Sequence, residues 1–273
     1  IPQMILENID IDGKLDYFNT IVKIPLMNED KGIGEAGTFK LICKECDNRI
    51  FQDYEDPKKI CLLPNERMLE EIALKNMLVM LNKRFYEIEL YNNMQKKYHM
   101  PFPYVQKQEV NGLDERDYFW NFNRIRKMIE SEESESKFCL FYWKKMDYKI
   151  PIAFQGAITL YGDLEGQIIT DIYNKSENII IKNINICMFP LEKESVVFAF
   201  YHEDDHEYDN FKNQFLALDE EEKMSLLSYL VYEHSEDMIF AKKFPHRTWL
   251  INRVRETFMD TTEIVELSLD MVE

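Results

Sequence analysis

The chain of 273 residues is 45% hydrophobic and 13% aromatic, with 8 Gly and 9 Pro, a composition that predicts folded cores and not a disordered chain. Its 33 basic and 50 acidic residues give a net charge of −17, which argues against a simple DNA-binding module because such modules need cations over phosphates. Five cysteines make no disulfide framework, and the longest apolar runs are far shorter than the roughly 20 residues of a membrane helix. We therefore expect a cytoplasmic protein without a membrane segment.

The first predicted elements precede a pair of cysteines. Residues 17–24 have the apolar pattern of a β-strand, and residues 32–34 contain two glycines that indicate a turn. A second strand-like run, over residues 39–42, then leads into Cys43. The N-terminal segment is therefore expected to bring a strand directly to the cysteines.

Cys43 and Cys46 have the C-x-x-C spacing that lets two thiolates on a tight turn bind one zinc ion. Asp47 and Asn48 follow at once, where a polar side chain can cap the first turn of a helix. A short amphipathic run comes next, and the helix is expected to end near Pro57. This layout predicts a zinc knuckle that caps a helix.

A closed structural zinc site needs four ligands. Cys61 and His99 are candidates for the third and fourth ligands, but no spacing rule supports either, and the chain contains no second C-x-x-C. A half-site whose other half precedes Ile1 explains the cysteine pair better than two unrelated free cysteines.

A helical period governs the next segment. Residues 68–98 are predicted to form a long helix, capped by Asn65, because apolar residues recur at steps of four and three. The residues on this face are Leu74, Leu78, Leu81, Phe85 and Ile88. After a proline-containing break at residues 99–105, a second helix is expected over residues 113–133. The acidic segment 130–136 is the expected domain boundary.

After that boundary, apolar residues recur at every second position, as in β-strands. Strands are predicted at residues 138–143, 150–160, 168–173, 179–187 and 196–201. Helices are predicted at residues 208–218, 219–232 and 244–259, with Asp219 and Glu222 at the positions of a capping box. The pattern predicts an α+β fold, with a zinc-knuckle and helical N-terminal part followed by an antiparallel sheet with helices. The expected domains are a partial zinc-knuckle segment over 1–64, a helical segment over 65–136 and an α+β domain over 137–273.

The sequence LICKECDNRIFQDYEDP, residues 41–57, is similar to the second half of the HNH-type (treble-clef, ββα-metal) endonuclease motif. In one branch of that family a first C-x-x-C is followed by an H-x-I-P phrase, and a second C-x-x-C precedes Asn or Asp at the head of a helix. Ile1 and Pro2 resemble the tail of the H-x-I-P phrase. The resemblance implies that the first cysteine pair and the metal-activating histidine precede Ile1.

The same resemblance implies a metal-dependent nuclease that hydrolyses phosphodiester bonds, with a structural zinc ion and a catalytic divalent metal such as Mg²⁺. Cys43 and Cys46 match the second zinc pair of the family. Asp47 or Asn48 matches the polar catalytic position that follows, where many members have Asn. No residue of this chain matches the catalytic histidine, so the chain on its own is expected to be incomplete for catalysis. Nucleic acid is the implied partner of the HNH-like part, while a protein partner or a homo-oligomer stays open.

Two alternatives come from other classes of protein. A non-enzymatic interaction or sensor module could use the zinc knuckle as a scaffold. A zinc hydrolase is the other, because residues 202–206 spell H-E-x-x-H, a metalloprotease motif that needs both histidines on one helical face. Asp204 and Asp205 resemble a helix cap, however. His202 is therefore expected to precede the helix, and the motif is expected to form a solvated acidic turn.

Overall fold

The computed structural model describes residues 1–21, 24–98, 103–131, 137–172, 174, 176, 178–234, 237–245, 247–249 and 252. Its helices are α1 (Gln3–Leu6), α2 (Lys44–Ile50), α3 (Glu66–Tyr98), α4 (Pro103–Glu130), α5 (Asp209–Ala217) and α6 (Glu220–His234). Its strands are β1 (Lys14–Ile21), β2 (Ile24–Gly32), β3 (Phe138–Met146), β4 (Ile152–Ile158), β5 (Ile184–Pro190), β6 (Ser195–His202) and β7 (Asp237–Phe240). None of these helices combines the length and the apolar character that crossing a membrane would require.

The described strands form one seven-stranded antiparallel sheet in the order β2-β1-β7-β4-β5-β6-β3. β1 lies beside β7, with Tyr17 opposite Ile239, so strands from distant parts of the chain meet in one sheet. The predicted α+β fold with an antiparallel sheet is confirmed. The division of the chain near residues 64 and 136 stays a prediction, although β1 and β2 share the sheet with the strands that follow residue 137.

Strand β6, which lies between β5 and β3, separates two hydrophobic cores. Phe198 and Phe200 belong to the core that α3 covers, whereas Ala199 and Tyr201 belong to the core that α5 and α6 cover. Successive side chains of a strand point to opposite faces, which explains this alternation. Every residue of β6 is buried because helices cover both faces of the sheet there. The helical pair α3–α4, the sheet, and the pair α5–α6 therefore form three layers.

Two predicted helix caps are confirmed. The backbone N–H of Met68 donates to Oδ1 of Asn65 at 2.8 Å, so Asn65 caps α3 as expected. Asp219 and Glu222 form the capping box of α6 through reciprocal side-chain to backbone hydrogen bonds of 2.8 and 2.9 Å. Local polar patterns were sufficient to place both helix starts, because a cap is formed by neighbours in the sequence.

The predicted start of the second helix, at residue 113, is wrong. α4 begins at Pro103, because proline fits the first position of a helix, where its missing N–H has no partner to lose. Gly112 lies inside α4, although glycine weakens a helix by about 1 kcal/mol relative to alanine. Packing of α4 along α3 offsets that cost. Residues 132–136 of the acidic loop, and most of the helix predicted over 244–259, lie outside the described residues.

The strand predictions before the cysteines are wrong in extent. Residues 17–24 span two strands, since β1 ends at Ile21 and β2 begins at Ile24. Residues 39–42 lie in no strand. The chain therefore reaches the cysteines through an irregular segment and not through the expected strand.

The strand predicted over residues 168–173 is also wrong. Only an isolated bridge between Gly162 and Ile168 occurs there, and residue 173 is outside the described part of the chain. Ile168 and Ile172 are both exposed, so the apolar pattern at this place does not mark a core. The strand expected over 179–187 is shifted, because β5 runs from Ile184 to Pro190.

Candidate functional site

Cys43 is the N-cap residue of α2. Its Sγ accepts the backbone N–H of Cys46 at 3.4 Å, as a serine or aspartate oxygen does at this position of a helix. The expectation that Asp47 or Asn48 caps the helix is therefore wrong, because both residues lie inside α2. The C-x-x-C spacing itself explains the difference, since it puts the second cysteine at the third helical position, whose N–H faces the cap.

The hydrogen bonds at this cap also shift the pKa values of the two thiols in opposite directions. Backbone and side-chain hydrogen bonds from Cys46 lower the pKa of Cys43, because they stabilise its thiolate. The hydrogen bond from the Cys46 side chain and the nearby Cys43 charge raise the pKa of Cys46. Cys43 is exposed and Cys46 is partly exposed. A metal ion from solvent can therefore reach the pair, and Cys43 is the first of the two to supply a thiolate.

Asp47 lies where α2 contacts α3. Its Oδ1 accepts a hydrogen bond of 2.6 Å from Nζ of Lys75. The side chain of Lys75 is only 13% exposed, and its Nζ lies 4.1 Å from the centre of the Phe51 ring. Carboxylate and ring together hold the ammonium group in place. Asn48, roughly 100° further round the helix, is exposed.

Glu55 also lies beside Lys75. Oε1 of Glu55 lies 3.5 Å from Nζ of Lys75. Sequence analysis missed this grouping, because 28 residues separate Lys75 from Asp47 and 20 separate it from Glu55. No local pattern could have revealed it.

Cys61, one of the two further zinc ligands considered from the sequence, is not brought to the cysteine pair. Sγ of Cys61 donates to the carbonyl of Lys58 at 3.4 Å, in a turn of its own. His99 lies outside the described residues. Within the described ranges, no group of three or more His, Cys, Asp or Glu residues is arranged to hold a metal ion. The described chain thus supplies two adjacent thiol ligands, and zinc binding stays a prediction.

The H-E-x-x-H sequence spans the end of a strand and a short turn. His202 is the last residue of β6 and is buried, whereas His206 opens the 3₁₀ turn His206–Tyr208 and is exposed. Nδ1 of His206 lies 3.2 Å from Oδ2 of Asp209. The two histidines therefore do not share the helical face that a metalloprotease needs, and His202 precedes the helix as expected. This geometry gives the zinc-hydrolase alternative no support.

His202 instead belongs to a buried polar cluster with Arg124 and Asp205. Arg124 donates two hydrogen bonds to Asp205, of 2.6 and 2.8 Å, and Nζ of Lys182 lies 3.5 Å from the same carboxylate. A cavity of about 20 Å³, large enough for one water molecule, is lined by His202, Arg124 and Asp205 among others. Burial and the charge of Arg124 lower the pKa of His202 to about 4, against the opposite effect of Asp205. This histidine is therefore neutral at physiological pH.

Comparison of the chain with protein-family models, with curated proteins and with solved structures found no match.

Proposed function

We propose that this chain carries the second half of an HNH-like nuclease site, which hydrolyses phosphodiester bonds with a divalent metal ion. The observation that supports the proposal most is the arrangement on α2. Cys43 and Cys46 lie together at the exposed start of this helix, and Asp47 follows at the position next to the pair. Asp47 contacts Lys75 on α3.

The donor atoms fit the metals that the proposal requires. Thiolates suit a structural zinc ion, and a carboxylate such as that of Asp47 suits Mg²⁺. A bound divalent metal would stabilise the charge that develops on the phosphate. The chain's own residues act by position: the cysteine pair would fix the start of α2, and Lys75 restricts the carboxylate of Asp47 to one orientation. A nucleic-acid partner and a cytoplasmic location belong to the same proposal.

Cleavage of plasmid and single-stranded DNA with Mg²⁺ or Mn²⁺ tests the proposal. The assay uses the chain as given and the chain together with any residues encoded before Ile1. Because many family members have Asn at the position of Asp47, Asp47→Asn should keep activity while Asp47→Ala loses it. Asn48→Ala is the matched neighbour and tells which of the two polar residues is required. Absence of cleavage by both proteins with either metal would contradict the nuclease proposal.

A non-enzymatic scaffold is the second candidate, and the ion pair of Asp47 favours it. A carboxylate that already bonds to Lys75 at 2.6 Å serves stability whether or not it binds a metal. The net charge of −17 also disfavours non-specific contact with nucleic acid. Under this hypothesis, zinc binding persists without cleavage, and Asp47→Ala changes stability alone.

A further inference from the structure

A cavity of about 410 Å³ lies between α2, α3 and α4, apart from the cysteine pair. Aliphatic side chains form most of its wall, and they are Leu41, Ile42, Ile50, Leu74, Leu78 and Ile129. Its volume falls in the range of roughly 300–1,000 Å³ that is typical of small-molecule sites. The wall contains a single aromatic side chain, that of Phe122, so the mostly aliphatic lining suits the flexible hydrocarbon part of a small ligand better than a nucleobase, which needs aromatic faces for stacking.

Arg67 fixes the relative positions of the three helices that form the walls of this cavity. Its guanidinium donates to the carbonyl of Ile50, at the end of α2, and to the carbonyl of Ile129, near the end of α4. Its Nε donates to Glu71 at 3.0 Å on α3 itself. One side chain thus links three helices and satisfies carbonyl groups that helix ends leave unpaired. The cavity is consequently present before any ligand binds, which lowers the entropic cost of binding.

Two further arginines line the cavity and remain available to a ligand. Arg49 is exposed and has no hydrogen-bond or ion-pair partner among the described residues, in a chain whose net charge is −17. Among the described residues, the ion-pair partner of Arg126 is Glu130, at 3.9 Å, which also lines the cavity, and both side chains are largely exposed. Exposed pairs of this kind contribute little to stability. A ligand carboxylate can therefore bind either guanidinium without breaking a strong interaction.

We propose that this cavity binds a free aliphatic carboxylate of the fatty-acid type. The hydrocarbon chain lies against the aliphatic wall, and the carboxylate receives charge-assisted hydrogen bonds from Arg49 and Arg126. A purely apolar ligand would leave both cations unused, and a cationic amphiphile would meet repulsion. None of the residues that line the cavity is a cysteine or Asp47, so binding of the carboxylate can be measured without metal.

Isothermal titration of the full chain with monomeric decanoate tests this site without added metal. We expect saturable binding at one site, and no binding of butyrate or of decyltrimethylammonium. Arg49→Gln and Arg126→Gln should each weaken decanoate binding about tenfold, as the loss of one charge-assisted hydrogen bond predicts. Ile42→Trp should abolish binding by filling the cavity, and thermal unfolding checks that this variant folds.

Lys58→Gln is the matched control for charge. Lys58 is exposed and does not line the cavity, so its replacement should leave decanoate binding unchanged. Equal binding by the Arg49→Gln/Arg126→Gln variant and by Lys58→Gln would overturn the proposal. No binding of decanoate at millimolar concentration would also overturn it. Association with anionic phospholipid vesicles but not with decanoate would do the same, and would indicate a membrane-surface contact instead.

Discussion

Nζ of Lys75, on α3, donates a hydrogen bond of 2.6 Å to Oδ1 of Asp47, on α2, and this bond connects the cysteine-bearing helix to the largest helix of the structure. α2 has seven residues and none of them is buried. A helix so short is not stable on its own and depends on tertiary contacts. The position of the cysteine pair therefore depends on this contact and on those of Arg67.

Replacement of Lys75 by methionine should lower the free energy of unfolding by about 1–2 kcal/mol, because it removes a charge-assisted hydrogen bond and the contact of the ammonium group with Phe51. Urea denaturation measures the change. Lys144→Met is the matched control, since Lys144 pairs with Glu220 at a similar 2.7 Å but at a more exposed position. The control should change stability by at most about 0.5 kcal/mol. Equal effects of the two variants would contradict the role given to Lys75.

Replacement of Arg124 by methionine should be more destabilising, by about 3 kcal/mol, because it leaves the charge of Asp205 in the protein interior. Asp205 is 1% exposed, and Lys182 at 3.5 Å can compensate only in part. Arg126→Met, two residues along α4, removes an exposed pair and should have almost no effect on urea denaturation. A small effect at Arg124, similar to that at Arg126, would show that Asp205 is stabilised by other groups.

Stability should fall as the pH is lowered from about 6.5 to about 4, partly because of His202. The pKa of this histidine is about 4 in the folded protein and about 6.5 in an unfolded chain, so the unfolded state binds the proton first. The neutral histidine therefore contributes stability that is complete above about pH 6.5, on the order of 2 kcal/mol.

The variant His202→Asn isolates this contribution from the carboxylates that titrate in the same range. Asparagine does not titrate, and its Oδ1 can replace Nδ1 of His202, which accepts the backbone N–H of Asp204 at 3.2 Å. Urea denaturation at about pH 7 and at about pH 4.5 should give a smaller loss of stability for this variant than for the wild type. The same loss of stability in both proteins would mean that His202 is already protonated in the folded state at about pH 4.5, which would contradict the lowered pKa.

The sequence allowed the fold class and the helix starts at Asn65 and Asp219 to be predicted, because period and capping depend on neighbouring residues. It did not reveal that β1 pairs with β7, since Tyr17 and Ile239 are far apart in the chain. The exposed run at Ile168 and Ile172 misled the strand prediction, because an apolar pattern does not say whether other elements cover it.

The candidate site, like the fold, could be predicted from the sequence only in part. The C-x-x-C spacing identified Cys43 and Cys46 directly, and it brings them together through the N-cap bond of α2. The contact of Asp47 with Lys75 depends on how α2 packs against α3, and the cavity lined by Arg49 and Arg126 depends on three helices at once. Neither the contact nor the cavity produces a recognisable pattern of residue spacing in the sequence.

The metal content of the purified chain tests the central claim, that Cys43 and Cys46 are zinc ligands, most directly. Elemental analysis would compare the wild type with Cys43→Ser/Cys46→Ser and with His202→Asn/His206→Asn, all with folding checked by thermal unfolding. We predict that zinc accompanies the wild type and the histidine variant and is lost from the cysteine variant. Zinc that is lost only from the histidine variant, or zinc that is absent from all three proteins, would contradict the account.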